Sequence, residues 1–332
     1  MARADLLINL VRANSQGDSA LFRRTLEALI AEERGKQHHV LADRLSEYLN
    51  GSGSLGLLSR SDPKTPTVFD EKLKGLFAEL VPRRKLEDLV LPESVGIAAR
   101  ELLEEHHRKD LLRCHNLEPR HRVLLIGPPG NGKTSLAEAI AEGLMLPLIV
   151  VRYEGVIGSY LGETAVRLRR LFDHVRTRAC VLFFDEFDTL GKERGDVHDT
   201  GEIKRVVSSL LLQIDDLPSH VLVVTATNHP ELLDRAVWRR FQIRIELPQP
   251  DKPQIVSWVK DFERRLGESL PYSPDKLASH LEGSSFAELE EFTTDILRRR
   301  VLEGPEANMR CIIHRLMEQW KVRAHSQSSA EP

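Results

Sequence analysis

The segment Val123-Leu124-Leu125-Ile126-Gly127-Pro128-Pro129-Gly130-Asn131-Gly132-Lys133-Thr134-Ser135 sets the architecture of the chain. Four consecutive apolar residues run straight into a glycine-rich turn. Leu136, Ala137, Ile140 and Leu144 then recur at the spacing of one helix face. The pattern is GxxxxGK[ST] in the strand–loop–helix setting that gives it meaning. Its glycines let the backbone wrap a phosphate chain with N–H groups pointing inward. The helix start adds a partial positive charge at the same place. Lys133 is the point charge for the β- and γ-phosphates of a nucleotide, and Thr134 offers a hydroxyl suited to Mg²⁺. Residues Gly127, Pro128, Pro129, Gly130, Asn131, Gly132, Lys133, Thr134 and Ser135 are therefore the expected phosphate-binding set. A chance glycine-rich turn would lack the flanking strand and helix.

Further apolar runs stand at 148–151, 181–184, 221–225 and 243–247, separated by helical stretches. Most are continuous rather than alternating, the pattern of strands buried on both faces, which predicts a parallel sheet flanked by helices. The run Val181-Leu182-Phe183-Phe184 ends in Asp185-Glu186. A strand's carboxyl end is where such a sheet delivers carboxylates to a ligand. Asp185 is the expected holder of Mg²⁺, and Glu186 the residue that orients and polarises an attacking water. Alone, the pair reads equally well as solvated acids; beside the phosphate loop it reads as chemistry. Val221-Leu222-Val223-Val224 ends in Thr225-Ala226-Thr227-Asn228. Asn228 is a neutral donor and acceptor at the same sheet end, suited to the water or the γ-phosphate. Asn228-His229-Pro230 is also a turn signal.

The remaining segments give the domain plan. Leu6, Leu7, Leu10 and Val11, then Phe22, Leu26, Leu29 and Ile30, then Leu41, Leu45, Tyr48 and Leu49 form three amphipathic helical stripes over residues 1–50. A Gly/Ser-rich joint begins 51–66. The α/β nucleotide-binding unit is expected over 67–249. Helical patterns follow over 250–322, with Pro253 in a first turn, Ser285 and Glu288 as a capping box, and stripes of Leu289, Phe292, Ile296 and of Ile312, Ile313, Leu316, Met317, Trp320. Residues 323–332 read as a polar tail.

Composition excludes several classes. The chain has 332 residues, 41% hydrophobic and 29% charged, with a formal net charge of -3, which argues against wholesale disorder and against a general polyanion binder. Cys114, Cys180 and Cys311 form no CxxC pair, so a reducing, cytoplasmic compartment is expected rather than a disulfide scaffold. No apolar run is long enough to span a membrane. His106-His107, Cys114-His115 and Cys311 with His314 supply no recognised four-ligand spacing and read as helix-surface residues.

The order of the pieces resembles the AAA+ ATPases, closest to the protein-remodelling group. The phosphate loop, the stretch Phe183-Phe184-Asp185-Glu186-Phe187-Asp188, the stretch Thr225-Ala226-Thr227-Asn228 and the paired arginines of Asp234-Arg235-Ala236-Val237-Trp238-Arg239-Arg240 stand in family order. The resemblance implies a P-loop NTPase α/β sheet flanked by helices, a small helical lid and, ahead of both, a short helical region. It implies ATP and Mg²⁺ as ligands, a homo-oligomeric, hexameric ring, and a protein substrate. Arg239 and Arg240 resemble arginine fingers that reach a neighbour's nucleotide. The family's Pro-Gly between them is missing here, and Arg239 is the preferred finger. Tyr160, Leu161 and Gly162 resemble a substrate-gripping pore loop, and residues 195–201 a second, less distinctive one. Residues 86–91 lie where the family's chain passes the adenine base. A phosphate-loop kinase and a DNA-associated AAA+ ATPase of helicase-loader or transposition-helper type are the rival functions. The paired arginines speak against the first. Tyr160-Leu161-Gly162 and the lack of an evident DNA-reading module speak against the second, and nucleic acid is not indicated as a partner.

Overall fold

The computed structural model describes residues 19–36, 42, 75–153, 161–190, 200–304 and 308–328. The apolar runs become strands β2 (Arg122–Ile126), β3 (Leu148–Val151), β4 (Cys180–Phe184), β5 (Val221–Thr227) and β6 (Ile243–Glu246). They lie in the order β3-β4-β5-β2-β6 and all run parallel.

The sheet is not wholly parallel, as the sequence pattern suggested. A further strand, β1 (Phe77–Leu80), adds antiparallel to the β3 edge, pairing Phe77 with Val151 and Leu80 with Leu148. Four residues with only Phe77 buried carry too weak an apolar signal to announce a strand. Its partners are distant in sequence. Arg178 holds Glu79 through two hydrogen bonds of 3.1 and 3.0 Å, and Phe77 stacks on His174 at 5.2 Å.

Strand side chains alternate between two buried faces. Leu124 and Ile126 point into a core shared with helices α5 (Leu161–Val175) and α6 (Thr200–Asp215). Val123 and Leu125 point into the opposite core, shared with α2 (Glu93–His107) and α4 (Lys133–Gly143). The short helix α3 (Lys109–Cys114) links α2 to β2. At the edge, β6 buries Ile243 and Ile245 and exposes Arg244 and Glu246, so only one of its faces is covered.

After β6 come α8 (Lys252–Leu266), α9 (Pro274–His280), α10 (Phe286–Glu303) and α11 (Met309–Ser328). They enclose a core of their own around Ile255, Val259, Phe262, Leu289, Phe292, Ile296 and Ile313. Each entry is locally encoded. Asp251 caps α8 with Pro253 in its first turn, Ser273 caps α9, and Ser285 with Glu288 closes a capping box on α10. The last helix continues to Ser328, into the segment that composition alone marks as a polar tail.

Of the three N-terminal stripes, the second forms α1 (Ser19–Gly35), with Leu29 and Ile30 buried. The stripes at 6–11 and 41–49, apart from the buried Ala42, and the joint at 51–66 lie outside the described residues. Among the described residues, no helix is long and apolar enough to cross a membrane.

Candidate nucleotide site

The turn after β2 is shaped by what touches it. Gly127, Gly130 and Gly132 have φ of 150°, 76° and 82°, a region L side chains rarely adopt. A Cβ on Gly127 would stand 2.1 Å from the Leu247 carbonyl oxygen, and one on Gly130 would stand 2.9 Å from Ser285 Oγ. The Gly130 carbonyl also accepts a hydrogen bond from the Ala287 N–H at 3.0 Å. The loop is thus clasped between the end of β6 and the first turn of α10.

Helix α4 opens at Lys133, so its free N–H groups face the loop. The Lys133 ammonium folds back and donates to the carbonyls of Gly127 at 2.6 Å and Pro128 at 2.9 Å. Burial pushes its pKa below the ordinary lysine value, against the opposing pull of Asp185 and Asp188. Asn131 is 2% exposed, and neither polar atom of its side chain has a hydrogen-bond partner among the described residues. A cationic amine, an unspent amide and a row of backbone donors, around a Gly127 and a Gly130 that have no room for a Cβ, make a cradle for a polyphosphate.

At the end of β4, Asp185 draws both sides of the site together. Its Oδ2 accepts from the Thr134 hydroxyl at 3.0 Å, and its Oδ1 from the Glu186 N–H at 2.9 Å. Glu186 has φ of 48°, and its side chain is exposed. A non-glycine residue in that region is uncommon and clusters at functional sites. Beneath it Phe187 is buried, edge-on to Phe184 at 6.1 Å and to Phe241 at 6.2 Å.

Asp188 lies in the run Phe183–Asp188, and its role is not evident from the sequence. Asp188 is 2% exposed; its Oδ1 accepts from the Thr227 hydroxyl at 3.0 Å and the Asn228 N–H at 3.3 Å. It ties the ends of β4 and β5 together and sets where Asn228 stands. The Asn228 side-chain oxygen is buried with no hydrogen-bond partner among the described residues.

Thr134 and Asp185 place a hydroxyl and a carboxylate side by side at the mouth of the loop. That pair fits Mg²⁺, which takes few protein oxygens and completes its shell from water and phosphate. Among the described residues, no group of three or more His, Cys, Asp and Glu side chains is arranged to hold a metal ion by itself.

Two further contacts were not legible from the motif. The backbone N–H groups of Arg83 and Arg84 donate to Glu138 Oε1 at 3.1 and 3.3 Å, and the Arg84 guanidinium donates to Ser135 Oγ. They pin the chain ahead of residues 86–91 onto α4. Leu86, Leu89 and Leu91 then pack against the α2–α4 core.

The arginines lie on α7 (Arg235–Arg240) and take different environments. Arg240 Nε donates to Asp215 Oδ2 at 2.8 Å, while Arg122 holds Asp215 Oδ1 at 2.6 Å. Arg239 is exposed and has no hydrogen bond or ion pair among the described residues. Leu161 and Gly162 form the start of α5, and Tyr160 lies outside the described residues, as do 195–199.

Comparison with known proteins follows the same line. Residues 123–249 match the model of the ATPase family associated with various cellular activities (AAA). An uncharacterized AAA family ATPase of Sinorhizobium fredii is 36% identical over 306 residues, covering 91% of each chain. A cell division cycle protein 48 homolog of Archaeoglobus fulgidus is 36% identical over 219 residues, 63% of this chain and 30% of that one. A putative 26S proteasome regulatory subunit homolog of Methanothermobacter marburgensis is 29% identical over 265 residues, 78% of this chain and 70% of that one. A nucleotide-binding cradle on a predominantly parallel sheet, matched by a relative along most of its length, makes this chain a member of the AAA ATPase family.

Proposed function

We propose that this ATPase works as a homo-oligomeric, hexameric ring, hydrolyses ATP with Mg²⁺ at sites shared between neighbours, and remodels or unfolds protein substrates. The observation that carries the reading is the contrast on α7: Arg240 is spent on Asp215, while Arg239 is exposed and without a partner among the described residues. An unpaired guanidinium at that position is suited to a phosphate held by another subunit.

Within one subunit the loop residues Gly127 to Ser135 cradle the phosphates. The Lys133 ammonium leaves the Gly127 and Pro128 carbonyls and donates instead to the β- and γ-phosphate oxygens. Thr134 and Asp185 would hold Mg²⁺, which would neutralise phosphate charge when bound. Glu186 orients the attacking water, and Asn228 donates to that water or to the γ-phosphate. Little covalent chemistry is asked of the protein beyond position and charge. Protein substrates are supported by the name of the Methanothermobacter marburgensis relative, a putative 26S proteasome regulatory subunit homolog. Tyr160, Leu161 and Gly162 are the proposed grip on an extended chain. Residues 1–50 are the proposed recruiting module on the joint at 51–66. The three unpaired thiols suit a cytoplasmic setting.

The test is the assembled mass of the full chain with ATP, in the Glu186→Gln variant that retains nucleotide, together with ATP turnover with and without unfolded protein or DNA. A ring and stimulation by unfolded protein are expected. A monomer that turns over at full rate contradicts the ring, and stimulation by DNA alone contradicts the substrate class.

A further inference from the structure

Arg84 brings a positive charge to the first turn of α4, and none of the roles above uses it. Its guanidinium donates to Ser135 Oγ. Ser135 follows Lys133 and Thr134 at the start of the helix, and the Leu136 N–H is the first to be taken up inside it, by the Gly132 carbonyl at 2.8 Å. The row of N–H groups open to an anion therefore ends at Ser135. The guanidinium is not needed to hold its own segment in place. The N–H groups of Arg83 and Arg84 already donate to Glu138 Oε1 at 3.1 and 3.3 Å. Ser135 and Glu138 stand three residues apart and share a face of α4. The backbone is fixed on that face at Glu138, and the Arg84 side chain runs back to the helix start.

There its partner is a neutral hydroxyl, and Arg84 is exposed with no ion pair among the described residues. Arg113, Arg120, Arg122 and Arg178 by contrast each meet a carboxylate. The adjoining loop holds a second unspent group, the Asn131 amide, 2% exposed and without a partner among the described residues. In a loop of this kind the lysine and the hydroxyl beside it serve the β- and γ-phosphates and their metal ion, while the backbone donors surround the α- and β-phosphates. Lys133 and Thr134 leave the Ser135 end of the row for the α-phosphate. We propose that Arg84 is a nucleotide-binding residue that donates to the α-phosphate, exchanging the neutral Ser135 hydroxyl for a charged oxygen. A guanidinium's planar fork of donors suits a phosphate better than a single hydroxyl. The inference rests on the assignment of Gly127 to Ser135 to the phosphates.

The experiment measures ADP affinity of the full chain by calorimetry over a series of salt concentrations, with the melting temperature of the nucleotide-free protein, for wild type, Arg84→Gln, Arg84→Lys and Lys133→Ala. Arg84→Gln removes the charge and keeps the two backbone bonds to Glu138. It is expected to weaken ADP binding by about tenfold at low salt, the low end of what a hydrogen bond to a charged group contributes. Its affinity should also fall less steeply with salt than that of wild type, because one screened attraction has been removed. Arg84→Lys keeps the charge and should keep the salt dependence. Melting of the nucleotide-free protein should not change in either. An unaltered ADP affinity in Arg84→Gln overturns the proposal. So does a loss that keeps the salt dependence of wild type, with or without a lowered melting temperature, since that marks a contact to sugar or base or a purely structural arginine. An unaltered ADP affinity in Lys133→Ala overturns the phosphate-loop assignment and the proposal with it, so the two failures are distinguishable.

Discussion

At Lys133 the ammonium is held by two loop carbonyls and is partly desolvated. Phosphate oxygens offer it stronger, charged acceptors. Lys133→Ala should therefore weaken ATP binding by about 2 kcal/mol, about thirtyfold in Kd, as read by calorimetry. Glu186→Gln keeps the shape and loses the charge. It should bind ATP as wild type does and lower kcat by about 10² or more; unchanged turnover would remove Glu186 from its proposed role. The cysteines give a separate check on packing. Cys180 is buried in β4, and desolvation raises its thiol to about 12, while Cys114 and Cys311 are exposed. A maleimide at neutral pH should label Cys114 and Cys311 in the native protein and reach Cys180 only after denaturation. Native labelling of Cys180 would contradict the packing of β4.

Among the elements, those whose signal is local could be read from the chain. The phosphate loop shows itself by glycines at positions of positive φ, and the parallel strands by runs buried on both faces. The α10 entry shows itself by Ser285 and Glu288. Ser285→Ala removes an acceptor 3.3 Å from the Glu288 N–H and should cost about 1 kcal/mol of unfolding free energy in a denaturant titration. A null result would show that the box contributes nothing there. Elements fixed from a distance could not be read. Strand β1 is announced by neither length nor apolar pattern, and is secured by Arg178, far along the chain. Asp188 has no recognisable role until β5 lies beside β4 and brings Thr227 and Asn228 to its oxygen. Which arginine of α7 is engaged was likewise beyond the sequence, because Asp215 ends a different helix and also serves Arg122.

Across the whole molecule the nucleotide site lies where the sheet meets the C-terminal helices. The bond from the Ala287 N–H to the Gly130 carbonyl ties α10 to the phosphate loop. The N-terminal region stands apart from this linkage in sequence. A chain beginning at Thr65 should keep ATP turnover and assembled mass and lose capture of its protein partner; a truncated chain that no longer assembles would make residues 1–50 a collar instead. The claim on which the account turns is that one subunit completes its neighbour's site. It is tested most directly by mixing Arg239→Ala protein, which keeps an intact loop and acids, with Glu186→Gln protein, which keeps an intact finger, and measuring ATP turnover. Random assembly pairs an intact site with an intact finger at about a quarter of interfaces, so the mixture should recover about that fraction of wild-type turnover. A mixture no faster than the average of the two variants alone would contradict a shared site.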